Sequence, residues 1–182
     1  MKIYTRRGDD GTTALRAGGR VRKDSPQIEA LGALDEAQAA LGAARAELVG
    51  TELDEVLIGL ERDLWVLMAE VSTDPAHPRR LEAGVTAVTK EMVDRLEPLI
   101  DSYTAELGEI AVFTVPGEDR ASAALDVART LVRRAERRLV AVDLSVDSHA
   151  PSYVNRLSDL CWTLARVTER QHRLTKPDGG AT

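Results

Sequence analysis

Aromatic side chains are scarce in this chain: one Phe, two Trp and three Tyr among 182 residues. β-Sandwich cores lean on aromatic and β-branched residues, so an apolar mass built mainly of Ala, Leu and Val argues for helices instead. Cysteine occurs once, at Cys161, which excludes an intramolecular disulfide framework. At an apolar helical position that thiol reads as a small buried hydrophobe. No apolar run reaches 18 residues, so no membrane span is expected. The leading residues are polar and lack the apolar core of a secretory signal, so a reducing cytoplasm is the expected location. His77, His149 and His172 have no ligand-like spacing, and neither a metal held by protein side chains nor an imidazole base is expected. There is no nucleophile triad, Cys-x-x-Cys pair or dinucleotide-binding glycine fingerprint. Positive charge is in the minority: a net charge of −6 makes a poor general nucleic-acid binder. A small polyanion can still be held where cations are locally concentrated.

What is present is ordinary for one globular domain, with 43% hydrophobic and 30% charged residues. Residues 1–24 are rich in Gly, Arg, Asp and Thr, and the stretch Gly8 to Gly19 shows no hydrophobic periodicity, so it reads as loop. Helical spacing starts at Ser25-Pro26, with Ser25 suited to cap and Pro26 to open the helix. Ile28, Leu31, Leu34 and Leu41 mark this helix, and Leu53, Leu57, Leu60, Leu64, Leu67, Met68 and Val71 the second. A third is marked by Val85, Val88, Met92, Leu96, Leu99, Ile100 and Tyr103. A short extended run, Ala111 to Gly117, precedes a fourth helix with Leu125, Ala128, Leu131, Val132, Ala135, Leu139 and Val142. After a polar break from Leu144 to Ser152, the fifth carries Val154, Leu157, Leu160, Cys161, Leu164 and Val167. The pattern predicts an all-α, up-and-down five-helix bundle over 25–173, a glycine-rich N-terminal loop segment over 1–24 and a disordered tail over 174–182.

Two polar segments carry the chemistry. In Thr5-Arg6-Arg7-Gly8-Asp9-Asp10-Gly11-Thr12-Thr13, the glycines let successive N–H groups converge on an anion, and the threonines add hydroxyls. Asp9 and Asp10 either hold Mg²⁺ beside phosphates or orient the loop by accepting N–H bonds. No Gly-Lys-Ser/Thr follows, so this is not a P-loop, and taken alone it reads equally well as a surface turn. On the fourth helix, Arg129, Arg133, Glu136 and Arg137 fall three or four residues apart or adjacent and share one face. A solvated, salt-bridged face is the plain alternative. Five arginines in ten residues repel one another, and an anion between them would relieve that repulsion; guanidinium also suits phosphate because its planar fork donates two parallel bonds. Asp35-Glu36 interrupts the apolar stripe of the first helix, as a water-facing edge or a counter-charge to an arginine. Asn155-Arg156 and Ser158-Asp159 decorate the fifth.

At these residues the chain resembles the PduO-type corrinoid adenosyltransferases. Tyr4 to Thr13, Lys23-Asp24, Leu34-Asp35-Glu36, Phe113 to Gly117, Ala128 to Arg138 and Tyr153 to Asp159 match that family's blocks in order, over about residues 2 to 170. The resemblance implies a homotrimer with ATP and corrinoid meeting between subunits. It implies the reaction in which ATP and cob(I)alamin give adenosylcobalamin and triphosphate, with Mg²⁺ on the nucleotide. A carrier or sensor that binds ATP and corrinoid without efficient turnover is the alternative. By resemblance, Thr5, Arg6, Arg7, Gly8, Asp9, Gly11, Thr12, Thr13 and Lys23 wrap the triphosphate, and Arg133, Arg134, Glu136, Arg137 and Asn155 complete the nucleotide site. Asp35 and Arg129 carry over as an interface ion pair, and Phe113 as the apolar residue at the lower corrin face. Arg7, Ala14, Gln38 and Met68-Ala69 depart from the family's usual residues. A reductase and an adenosylcobalamin-dependent acceptor enzyme are implied partners.

Overall fold

The structure is a computed structural model that describes residues 4, 6–107, 114–169 and 172–175. It opens with a two-stranded antiparallel hairpin, β1 (Thr12–Ala14) and β2 (Arg20–Arg22), with Thr13 opposite Val21. Six helices follow: α1 (Pro26–Ala46), α2 (Glu52–Ser72), α3 (Lys90–Asp94), α4 (Leu96–Leu107), α5 (Arg120–Leu139) and α6 (Ala150–Thr168), with one 3₁₀ turn at Pro78–Arg80. Since α3 and α4 are one helix interrupted at Arg95, the five-helix bundle stands. No helix among the described residues is long and apolar enough to cross a membrane.

Helix α5 packs between α1 and α6, with α2 against α1 and α4 against α6. Small side chains set the α1–α5 approach. Helix α1 buries Ala30, Ala33, Ala37 and Ala44 beside Leu34 and Leu41, and α5 buries Ala121, Ala128 and Ala135 beside Leu125, Val132 and Leu139. Alternating small and large residues lets the two backbones come close while each leucine fills a gap, at about 1.5–3 kcal/mol per buried side chain. Ile28 and Leu31 are only half-buried. The core stripe of α1 therefore combines its alanines with Leu34 and Leu41, while Leu31 packs at its margin.

Several local expectations are corrected. Gly8 to Gly19 contains strand β1, because Asp10 accepts from both the amide (2.9 Å) and the hydroxyl (2.8 Å) of Thr12 and turns the chain into the hairpin. Ser25 occupies the cap position of α1 in extended backbone, but its hydroxyl makes no capping bond. The third helix starts at Lys90 rather than near Val85. Glu82 gathers the amides of Val85, Thr86 and Ala87 on its carbonyl, Gly84 sits at φ 73°, and Thr89 then caps Met92. It breaks at Arg95, whose guanidinium reaches Asp63 on α2; the same carboxylate oxygen accepts from Tyr153 of α6 at 2.8 Å. Helix α6 starts at Ala150 with Pro151 in its first turn, so the polar break is shorter than its composition suggests.

Of the expected extended run, Thr114 pairs antiparallel with Leu174, and the Val115 amide donates to the Arg173 carbonyl at 2.7 Å. Residues 111–113 of that run, and 176–182 of the expected tail, lie outside the described residues.

Candidate active site

The N-terminal segment is folded on itself. Gly11 takes φ 80°, a left-handed conformation that a side chain would strain, and its carbonyl accepts from the Lys23 amide at 2.9 Å. A Cβ on Gly8 would lie 3.1 Å from Lys23 Nζ and 3.2 Å from the Thr12 carbonyl. Gly8 thus makes room for the lysine ammonium to lie against the loop. Asp10 is held below the usual carboxylate range, chiefly by the Thr12 hydroxyl. Of the two roles open to this carboxylate, the structure shows the orienting one. Asp9 is exposed, with its amide directed at the Arg6 carbonyl at 3.4 Å. Arg6 is exposed at φ 60° and stacks over Tyr4, its guanidinium carbon 5.6 Å from the ring centre. Arg7 is exposed as well, and Thr12 and Thr13 are half-buried in β1. Thr5 lies outside the described residues.

Arg20, in strand β2, supports the loop. It donates from Nε (3.1 Å) and Nη2 (2.6 Å) to the Thr12 hydroxyl and from Nη2 to the Arg7 carbonyl (2.6 Å), holding the loop from behind. Nothing in the spacing announces this; it needs the hairpin, which brings residue 20 back beside residue 12.

Helix α5 presents two cationic flanks. Consecutive residues of an α-helix lie about 100° apart, so Arg134 and Arg138 look toward α1 while Arg133 and Arg137 do not. Arg134 pairs with Glu36, and Arg138 lies 3.9 Å from Glu29. With Lys23 they line an open groove of about 510 Å³ between the hairpin, α1 and α5. On the other side Glu136 accepts from the Asn155 amide of α6 at 2.9 Å. Arg133 and Arg137 stand exposed beside that pair, Arg137 donating to the Arg133 carbonyl at 2.9 Å. Within one chain, then, Arg134 joins Lys23, and Arg133, Glu136, Arg137 and Asn155 form a second cluster.

Asp35 and Arg129 do not meet within the chain. Arg129 lies 3.3 Å from Asp126. Asp35 is exposed on the rim of an apolar groove of about 520 Å³ lined by Ile28, Leu31, Trp65 and Met68. Trp65 is 67% exposed there. Gln38 donates to the Glu61 carbonyl at 2.8 Å, joining α1 to α2. Phe113 lies outside the described residues. Among the described residues, no three His, Cys, Asp or Glu side chains converge as a metal site.

The chain is similar to known proteins over nearly all of its length. The sequence profile described as cobalamin adenosyltransferase matches residues 3–168. A corrinoid adenosyltransferase of Citrobacter freundii is 41% identical over 179 residues, 97% of each chain. One from Bacillus subtilis is 39% identical over 173 residues, 92% of this chain and 86% of the other. A variant PduO-type ATP:corrinoid adenosyltransferase from Lactobacillus reuteri, solved in complex with cobalamin and ATP, superposes with a TM-score of 0.86 at 28% identity, covering 97% of this chain and all of that one. The profile runs unbroken from the hairpin through the arginine-rich helix to the last turn of the bundle, and on that continuity the chain belongs to the cobalamin adenosyltransferase family.

Proposed function

We propose that this chain is an ATP:corrinoid adenosyltransferase. It moves the 5′-deoxyadenosyl group of ATP to cobalt(I) of a corrinoid substrate, giving adenosylcobalamin and triphosphate. The C5′–O bond breaks with its electron pair going to triphosphate. The cobalt supplies the pair for the new cobalt–carbon bond and ends as cobalt(III). The observation that carries this reading is the 41% identity to a corrinoid adenosyltransferase over 97% of both chains.

The nucleophile belongs to the substrate, so the protein's task is placement and charge control. Negative charge grows on the triphosphate oxygen as the bond breaks, and guanidinium groups aimed there stabilise it without reorganising. Arg133 and Arg137 are exposed and available for that work. Glu136 and Asn155, already bonded to each other, offer an amide-and-carboxylate edge to the nucleoside. The loop 6–13 with Lys23 takes the phosphate tail. Mg²⁺ fits as part of the nucleotide rather than in a protein cage, because the described residues gather no cluster of ligands and Asp10 is engaged with Thr12; it would supply charge neutralisation on phosphate oxygens. Phe113 would exclude water and the lower ligand from the corrin, easing reduction to cobalt(I).

The site is completed between subunits of a homotrimer. Loop and Lys23 lie on the α1 side of α5 and Arg133 and Arg137 on the other, so one chain does not close a grip by itself. Ile28, Leu31 and Trp65 line an apolar groove at the surface, with Asp35 at its rim for a partner subunit's Arg129. The reaction takes cobalt(I) from a reductase, hands product to an adenosylcobalamin-dependent enzyme and runs in the cytoplasm.

The test is an anaerobic assay with reduced cobalamin, ATP and Mg²⁺, following the visible spectrum of the cobalt–carbon bond. Steady multiple turnover is the expected result. Binding of both substrates without turnover would make the chain a carrier and overturn the assignment.

A further inference from the structure

One group of charges is buried where neither packing nor the nucleotide site requires it. Arg166, near the end of α6, is 2% exposed. Its Nη2 meets Asp126 of α5 at 2.5 Å and Glu169 at 2.8 Å, and its Nη1 donates to the Thr114 hydroxyl at 2.5 Å. Asp126 is buried too, and its other carboxylate oxygen lies 3.3 Å from Arg129 Nε. Glu169 in turn contacts His172 Nδ1 at 2.8 Å, in the segment whose Arg173 carbonyl holds the Val115 amide. Two helices, the strand-like stretch at 114–115 and the chain after α6 thus converge on one guanidinium.

Stability alone is a poor account of such a cluster. Apolar residues of similar volume commonly replace buried ion pairs with no loss or with a gain in stability. The cluster is also incompletely satisfied, since Arg166 Nε is buried without a hydrogen-bond partner. What a buried guanidinium does, and an apolar side chain does not, is fix several polar partners in set directions at once.

We propose that Asp126 and Arg166 are positioning residues for the transfer reaction, Asp126 aiming Arg129 and Arg166 anchoring Thr114, the residue that follows Phe113. The proposal rests on the adenosyltransferase reading. It assigns the buried cluster a part in two places: the subunit interface through Arg129 and the corrin side through the 114–115 stretch.

Thr114→Val and Thr114→Ser separate this from a structural role. Valine keeps the shape but loses the hydroxyl that accepts from Arg166, whereas serine keeps it. Thr114→Val is expected to raise the corrinoid KM or lower kcat roughly tenfold, the size of one charge-assisted hydrogen bond. The ATP Kd from calorimetry should stay within about twofold and Thr114→Ser should return toward the parent value. Hydrogen exchange at the Val115 amide should quicken in Thr114→Val and not in Thr114→Ser, a readout that needs no turnover. Asp126→Asn, provided it melts as the parent does, should lower kcat with both substrates saturating. Parent-like kinetics and Val115 exchange in Thr114→Val would overturn the proposal. So would equal losses toward both substrates that track the melting temperature. A parent protein that forms no cobalt–carbon bond while Val115 still responds would instead sink the adenosyltransferase assignment and leave the anchoring of Thr114 standing.

Discussion

At the scale of single residues, the contrast is between charges that face water and charges that do not. Arg133 and Arg137 are exposed, so either can be truncated without stranding a buried partner. Arg133→Ala and Arg137→Ala should each lower kcat/KM for ATP by about ten- to a hundredfold, the loss of a hydrogen bond to a charged group, with little change in melting temperature. Steady-state kinetics at fixed corrinoid measures it. Buried acids behave differently. Burial pushes the Cys161 thiol up to about 12 and, with Asp63 nearby, raises the Tyr153 phenol well above its usual value. The unfolded chain releases these protons at about pH 8.5 and 10, while the folded chain keeps them. Their contribution to stability is therefore complete below about pH 8.5 and fades as pH climbs toward 12. Urea midpoints should fall across that range, and a thiol reagent at neutral pH should label Cys161 only after denaturation. The burial of Cys161 was legible from its helical register. The role of Arg20 was not, because a residue's partners across a hairpin depend on the hairpin forming.

Helices were read from large apolar residues, and that worked best where leucine dominates. Helix α2 buries Leu57, Leu60, Leu64, Leu67, Met68 and Val71, all marked by spacing alone. On α1 it found Leu34 and Leu41, which are fully buried, but passed over the alanines that share their stripe and counted Ile28 and Leu31, which are half-buried; alanine carries too little hydrophobic signal to mark the stripe. It also missed the break at Arg95, although the sequence holds a cause in Pro98, which has no amide to bond the Asp94 carbonyl; the Arg95 side chain reaches Asp63 of α2, whose carboxylate also accepts from Tyr153 of α6. That junction joins three elements through one carboxylate. Tyr153→Phe keeps the ring packing and removes one donor to a buried acceptor, leaving Arg95 in place. It should cost about 1–2 kcal/mol, read as a lower urea midpoint at unchanged slope. An unchanged midpoint would mean the phenol is no part of the joint.

For the whole molecule, the informative surface is the one around Trp65. A tryptophan two-thirds exposed beside half-buried Ile28 and Leu31 makes this the face on which an apolar contact between subunits is expected. Trp65→Glu should leave helical content intact and shift sedimentation from the proposed trimer to smaller species, with transfer activity falling in parallel. A trimer that survives the substitution would move the interface elsewhere. The division of site residues was legible only in part. Helical spacing alone puts Arg133 and Arg137 on one face and Arg134 off it, but does not show that Arg134 turns to Glu36 of α1.

That division means two broken proteins can repair each other. If each grip takes its loop from one subunit and its arginines from the next, a chain lacking Lys23 and a chain lacking Arg137 carry complementary defects. Refolded together in equal amounts, they should assemble rings in which about one grip in four draws both parts from sound donors, as random cyclic assembly requires. Roughly a quarter of the parent rate should return from two preparations that are each far slower alone.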